Sequence, residues 1–197
     1  MSTTINLDDK IEEIRKYTMA AVNESRYEHS VRTAETCEKL CKKCNIDPKR
    51  GYLAGIAHDM CKKMDDDLLM KFASKDGKPI TQIEKDKPSL LHGRAAAVKI
   101  KQDFGVEDEE IIQAIANHTF GAENLCDLAK ILYISDKIEP GREHITKEYL
   151  EKLFKLSLNE MVYTVLKENL EYLAKKGKSV SGLTMKFMKE LERDIGK

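Results

Sequence analysis

An imidazole and a carboxylate stand side by side at His58-Asp59, near the end of the run Gly51-Tyr-Leu-Ala-Gly-Ile-Ala-His58-Asp59-Met-Cys-Lys62-Lys63. Asp47-Pro48 just upstream offers an N-cap and a first-turn proline, so a helix is predicted to start there and to carry His58 and Asp59 in its last turn. From Tyr52 to Cys61 the run is apolar or small nearly all round, which marks a buried helix. Neighbouring residues point about 100° apart on a helix, yet a long imidazole and a short carboxylate can still converge on one cation. Taken alone, the pair reads more readily as a hydrogen-bonded core histidine beside an exposed aspartate.

The other histidines change that balance. In Ile111 to His118 the apolar face 111, 114, 115 continues to His118, and in Ala129 to Asp136 the face 129, 132, 133 continues to Asp136. His29 lies one turn before Thr33 and two before Cys37, on the stripe that ends at Leu40 and Cys41. His92 opens a helix whose small-residue run is Ala95, Ala96 and Ala97. Four of the five histidines and two aspartates are thus aimed inward from separate helices; His144, after Gly141, reads as a surface residue. Six buried polar groups would each need a partner of their own. A shared metal centre satisfies them together, because imidazole and carboxylate are natural ligands of divalent transition metals.

The elements that must hold these groups are helices. Start and stop signals recur along the chain and strand signals are nearly absent; four prolines and ten glycines fall between helical patterns. Asn6 can cap a first helix striped with Ile11, Ile14, Thr18, Ala21 and Val22. Ser25 and Glu28 form a capping box for the next, running to about Cys44. Further helices are predicted from Asp65 to Phe72, Leu91 to Phe104, Asp108 to Asn117 and Leu125 to Ile138, with a short turn at the Thr81/Glu84 box. Two or three more follow, the longest stopping at Gly177. The expectation is one all-α domain over residues 1–197, with a motif-bearing core at about 25–142 and additional C-terminal helices.

Composition narrows the setting. Apolar content is 41% and charged content 35%, with a formal net charge of zero. A neutral balance argues against a broad nucleic-acid face, although a small anionic substrate needs only a local cluster of cations. The start, Met-Ser-Thr-Thr-Ile-Asn-Leu-Asp-Asp, lacks the basic and apolar regions of a signal peptide, and no apolar run is long enough for a membrane span. Five cysteines, an odd number, fit free thiols in a reducing cytoplasm.

In order, His29…His58-Asp59…His92…His118…Asp136 resembles the metal-dependent phosphohydrolases of the HD-domain superfamily, in the form with two extra histidines for a second metal. The local texts Arg26-Tyr-Glu-His29-Ser30, Ala57-His58-Asp59-Met-Cys-Lys62, His92-Gly93, Ala114-Ile-Ala-Asn117-His118-Thr119 and Asp136-Lys-Ile-Glu139-Pro140-Gly-Arg142 are similar to those of the bacterial YqeK family. That resemblance implies an HD-type helical bundle that cleaves dinucleoside tetraphosphates symmetrically, with two divalent metal ions, iron foremost and Mn, Co or Ni able to substitute. It implies His29, His58, Asp59 and Asp136 around one metal, and His92 and His118 around the other, with Asp59 bridging. It also implies Asp59 and Lys62 in catalysis and Arg26, Lys62 and Arg142 on the substrate phosphates, with Arg94 a weaker fourth. A nucleotide is the expected partner, with a homodimer as an option.

Other signals carry less. Cys37, Cys41 and Cys44 have a spacing known from iron–sulfur enzymes, but on a capped helix they form an i, i+4, i+7 row of small apolar residues. Asp65-Asp66-Asp67 lacks the alternation of a calcium loop and suits a first helical turn. Three alternatives keep the same helices: another HD-type phosphohydrolase (a nucleotidase or phosphodiesterase), a di-iron oxygenase, and a regulatory nucleotide-binding module, which would tend to lose ligands.

Overall fold

The structure, a computed structural model, describes residues 6–197. The absence of a signal peptide was read partly on residues 1–5, which lie outside the described residues. Eleven α-helices occur among the described residues and no strand: α1 Leu7–Ala21, α2 Glu24–Lys43, α3 Pro48–Ala57, α4 Asp66–Ala73, α5 Gln82–Asp86, α6 His92–Phe104, α7 Glu109–Asn117, α8 Asp127–Ile138, α9 Lys147–Leu153, α10 Leu158–Lys175 and α11 Gly182–Asp194. The architecture is the all-α bundle the sequence implies. Among the described residues no helix is long and apolar enough to cross a membrane.

The middle of the bundle is α3, which packs against α1, α2, α7 and α8. Its sequence explains that place: Gly51, Leu53, Ala54, Gly55, Ile56 and Ala57 are all buried, so nearly every face is covered. Gly55 lets α2 come close, since a Cβ there would lie 2.5 Å from the Ala34 Cα. The α2–α3 seam therefore approaches backbone to backbone. Thr18 adds a hydroxyl that donates to the Ile56 carbonyl at 3.2 Å, fixing α1 on the same helix.

Most termini fall where local chemistry puts them. Asn6, Asp47, Asp108 and Ser157 cap their helices through side-chain acceptors, and Thr81 with Glu84 forms a complete capping box. Three boundaries differ from expectation. Asn23, not Ser25, caps α2, because its Oδ1 accepts from the Arg26 amide at 3.0 Å. Helix α8 starts at Asp127, two residues beyond Leu125. The third is the central one: α3 ends at Ala57, with His58 as its C-cap, so Asp59 and Lys62 lie in the turn that follows.

The C-terminal helices cover the far side. α10 packs on α8 and α11 on α10. Phe187 of α11 meets Tyr133 of α8 edge to face at 5.4 Å, and Thr184 donates to the Phe120 carbonyl just beyond α7. Cys37 and Cys41 are buried and unbridged. Burial pushes the Cys41 thiol up to about 12, as befits core residues.

Candidate active site

Five segments bring the sequence-predicted residues to one place. α2 supplies His29 and Arg26, the turn after α3 supplies His58, Asp59 and Lys62, and the start of α6 supplies His92. The C-cap of α7 is His118, and the last turn of α8 carries Asp136. His58, Asp59, His92 and His118 are at most 2% exposed. Asp59 occupies the centre, and its two oxygens face different ways. Oδ1 lies 3.0 Å from His92 Nε2 and 3.8 Å from His118 Nε2. Oδ2 lies 3.5 Å from His58 Nε2 and 3.8 Å from His29 Nε2. Asp136 Oδ1 completes the latter side, 3.1 Å from His29 Nε2 and 3.8 Å from His58 Nε2.

The imidazoles are held from behind. His58, His92 and His118 each direct Nδ1 at the carbonyl three residues upstream, of Gly55, Ser89 and Ile115, at 2.6, 2.7 and 2.8 Å. A carbonyl only accepts, so each Nδ1 carries the proton and each Nε2 presents a bare lone pair. His29 Nδ1 instead meets the Glu139 carboxylate at 3.1 Å. Gly93 allows the His118 ring in, as a Cβ there would lie 2.8 Å from its Cε1.

This geometry fits metal ions. His92 Nε2 and His118 Nε2 stand 3.0 Å apart with lone pairs facing, which is repulsive unless a cation lies between. Adjacent nitrogen ligands at about 2.0–2.1 Å from one ion are themselves about 3 Å apart. His29 Nε2, His58 Nε2 and Asp59 Oδ1 are buried with no hydrogen-bond partner. Two overlapping His/Asp groups bring their ligand atoms within 4.8 Å of one another: His29, His58 and Asp136, and His58, Asp59 and His118.

Burial holds the His58 imidazole below its ordinary pKa, and His118 well below, so both stay neutral. Burial works against ionisation of Asp59 and Asp136 too. The ammonium groups of Lys62 beside Asp59 and Lys137 beside Asp136 oppose it, and both carboxyls lie well below the usual range. Neutral imidazoles beside ionised carboxylates are the protonation states that ligate.

Three cations rim the site, each side chain about one-third exposed: Arg26 at 33%, Lys62 at 33% and Arg142 at 35%. Arg26 donates to Asp59 Oδ2 at 3.0 Å, Arg142 to Asp136 Oδ1 at 2.8 Å, and Lys62 Nζ lies 3.1 Å from His92 Nε2. Arg94 is not among them. It grips Asp76 with two bonds and Glu84 with a third, bracing the segment before α6. His144 is exposed, as expected.

Sequence reasoning missed Glu139, Arg32 and Lys137. Glu139 accepts from Arg32 Nε and the Gly141 amide, each at 2.6 Å. Lys137 Nζ donates to the His118 and Tyr133 carbonyls and lies 3.5 Å from Asp136 Oδ2. Glu139 is the C-cap of α8, just before Pro140-Gly141. Its place in the text Asp136-Lys-Ile-Glu139-Pro140-Gly-Arg142 was the available signal.

Comparison with known proteins agrees with this geometry. The HD domain profile matches residues 26–141, the stretch that holds all six candidate metal ligands, with Arg26 and Lys62. The chain belongs to the HD-domain family. The HD-domain chain is 31% identical to the symmetrical bis(5'-nucleosyl)-tetraphosphatase of Staphylococcus aureus, a match covering 89% of this chain and 91% of that one. It is 29% identical to the Bacillus subtilis protein of the same description, over 81% and 85% of the two chains. A crystal structure from Clostridium acetobutylicum, of a predicted HD superfamily hydrolase involved in NAD metabolism, superimposes with a TM-score of 0.85 at 30% identity. That match covers 93% of this chain and 97% of the other. The chain is a metal-dependent hydrolase of the HD family, with a di-metal active site suited to nucleotide phosphoanhydrides.

Proposed function

We propose that this enzyme hydrolyses dinucleoside tetraphosphates symmetrically, converting diadenosine tetraphosphate to two ADP. The observation that carries the proposal is the central Asp59, with one oxygen toward His92 and His118 and the other toward His29 and His58. A carboxylate shared in that way is what two divalent cations need, since two such ions held about 3.5–4 Å apart repel and require bridging anions. In this reading His29, His58, Asp59 and Asp136 hold one ion, and His92, His118 and Asp59 the other. Two divalent ions held there would activate water and neutralise phosphoryl charge. Iron is the metal the resemblance favours, and N/O sites of this kind also accept Mn, Co or Ni.

The chain's own residues then fix which bond breaks. Arg26, Lys62 and Arg142 face the cleft and turn from their carboxylate and imidazole neighbours to the phosphates, Arg by its planar fork and Lys as a point charge. One nucleoside diphosphate half is gripped with its outermost phosphorus over Asp59. Only that phosphorus is in line for attack, so the central anhydride is cut. Lys62, beside Asp59 and His92, stabilises charge that develops on the transferred phosphoryl group. The two relatives described as symmetrical tetraphosphatases support the same choice. The core at 25–142 and the C-terminal helices work as one unit, in keeping with the Thr184–Phe120 and Lys130–Asn159 contacts. The setting is cytoplasmic, with a nucleotide rather than nucleic acid as partner.

Chromatography of an early time point, run in water enriched in heavy oxygen, tests the reaction. ADP alone, with the label on one ADP of each pair, is expected, and phosphate monoesters should be poor substrates. Equal ATP and AMP would mean asymmetric cleavage and would end this reading. A second reading, another nucleotide hydrolase, is favoured by the Clostridium relative's link to NAD metabolism. Including NAD in the substrate panel separates the two.

A further inference from the structure

The four imidazoles of the centre are not anchored alike. His58 and His118 are helix C-caps and His92 opens α6 after a 3₁₀ turn, so each finds a backbone carbonyl three residues upstream. His29 lies inside α2, where the upstream carbonyls already serve the helix. Its Nδ1 therefore needs an acceptor from elsewhere in the fold, and it finds the carboxylate of Glu139. Glu139 is 2% exposed, and its second oxygen is held by Arg32 from α2 and by the Gly141 amide from the loop after α8. The direction of its first oxygen is thereby fixed, and with it the His29 ring.

We infer that Glu139 is a positioning residue that makes the His29 side of the metal centre the tighter of its two positions. A full negative charge behind an imidazole raises electron density on the opposite nitrogen more than a neutral carbonyl does, and so strengthens it as a ligand. Only His29 has that arrangement. Its Nε2 shares its side of Asp59 with His58 and Asp136, whereas the other side rests on His92 and His118, both backed by carbonyls. The chain thus builds an inequality into a nearly symmetrical pair of clusters. The inference rests on the di-metal reading above.

Elemental analysis after dialysis against graded chelator, on wild type, Glu139→Gln and His118→Ala, tests it without any assay of turnover. Glutamine keeps nearly the same shape and one acceptor oxygen, removes the charge, and leaves either His29 or the Arg32–Gly141 pair facing its amide nitrogen. Wild type should lose its two ions in two steps. His118→Ala should abolish the weaker step and leave the tighter one. Glu139→Gln should move the tighter step by about 10–100-fold toward release, with the weaker step unmoved. Release of both wild-type ions in one step, or an unmoved tighter step in Glu139→Gln, overturns the inference while leaving the di-metal reading intact. So does an equal shift of both steps, which would make Glu139 a general brace. A wild-type protein that binds no metal removes the di-metal reading itself.

Discussion

Asp59 differs from the other acidic side chains in facing an imidazole pair with each oxygen while being 2% exposed. Asp59→Asn keeps the volume and replaces one oxygen with an amide nitrogen, which cannot act as an anionic ligand. Turnover should fall by more than about 100-fold, since residues that merely support a metal ligand already cost 10–100-fold. Elemental analysis should show less metal; an Asp59→Asn protein with full metal and full activity would exclude the bridging role. Lys62 makes a different case. Its ammonium lies 3.7 Å from Asp59 Oδ1, on a one-third exposed side chain at the mouth of the site. Lys62→Ala should keep the metals and lower kcat by about 10²–10³-fold, the usual effect of losing one preorganised charge or donor. Full activity in that variant would leave Lys62 without a phosphate role. Asp59 was legible from its buried run beside His58 once the other inward histidines were counted, and Lys62 only through the family resemblance. Glu139 and Lys137 were not, because a glutamate and a lysine just before Pro-Gly also describe an ordinary exposed helix end.

The elements meet at a few points where only hydrogen can stand. Gly93 is one: a methyl there would lie 2.9 Å from both His118 Nδ1 and the Ile115 carbonyl, which bond each other. Gly93→Ala must therefore push α6 off the end of α7 and turn the His118 ring. A destabilisation of about 1–3 kcal/mol is expected from overpacking, with loss of metal on the His92–His118 side. Thermal melting together with elemental analysis checks this, and an unchanged metal content would show that α6 can move without consequence. The helices themselves were readable from caps and stripes. The end of α3 was not, because it depends on a side chain. The Gly55 carbonyl accepts from the His58 ring at 2.6 Å, and the next amides form tighter turns, Met60 to Ala57 and Lys62 to Asp59. The histidine that was expected to ride in the last turn is what ends it, and that turn aims Asp59 and Lys62 into the cleft. The cap of α2 was ambiguous for a simpler reason. Asn23 and Ser25 are both good caps two residues apart, and only the three-dimensional course after Val22 selects the first.

Across the whole molecule, the site is a set of uncompensated groups at the junction of five segments, so the metal-free chain should be sensitive to acid in a particular window. His58 and His118 are held neutral by burial, below the ordinary value of 6.5. In the unfolded chain both bind protons near that value, so the unfolded state takes up protons first as pH falls. Their neutral burial costs nothing in protonation above pH 6.5, and stability is lost progressively below it, at up to about 1.4 kcal/mol per pH unit for each histidine. Asp59 and Asp136 act lower down: their folded values lie well below 3.8, so their contribution persists until pH falls through the unfolded carboxylate range. Denaturant unfolding of chelator-treated protein should therefore show stability level from pH 8 to 7 and declining from about 6.5 toward 4. The metal-loaded protein should start higher and decline more steeply, because ligation also requires neutral imidazoles and metal is released as they protonate. A metal-free chain whose stability is flat down to pH 4 would mean that the buried imidazoles take up protons in the folded state as readily as in the unfolded one, which would place positive charge where the metal ions are proposed to sit.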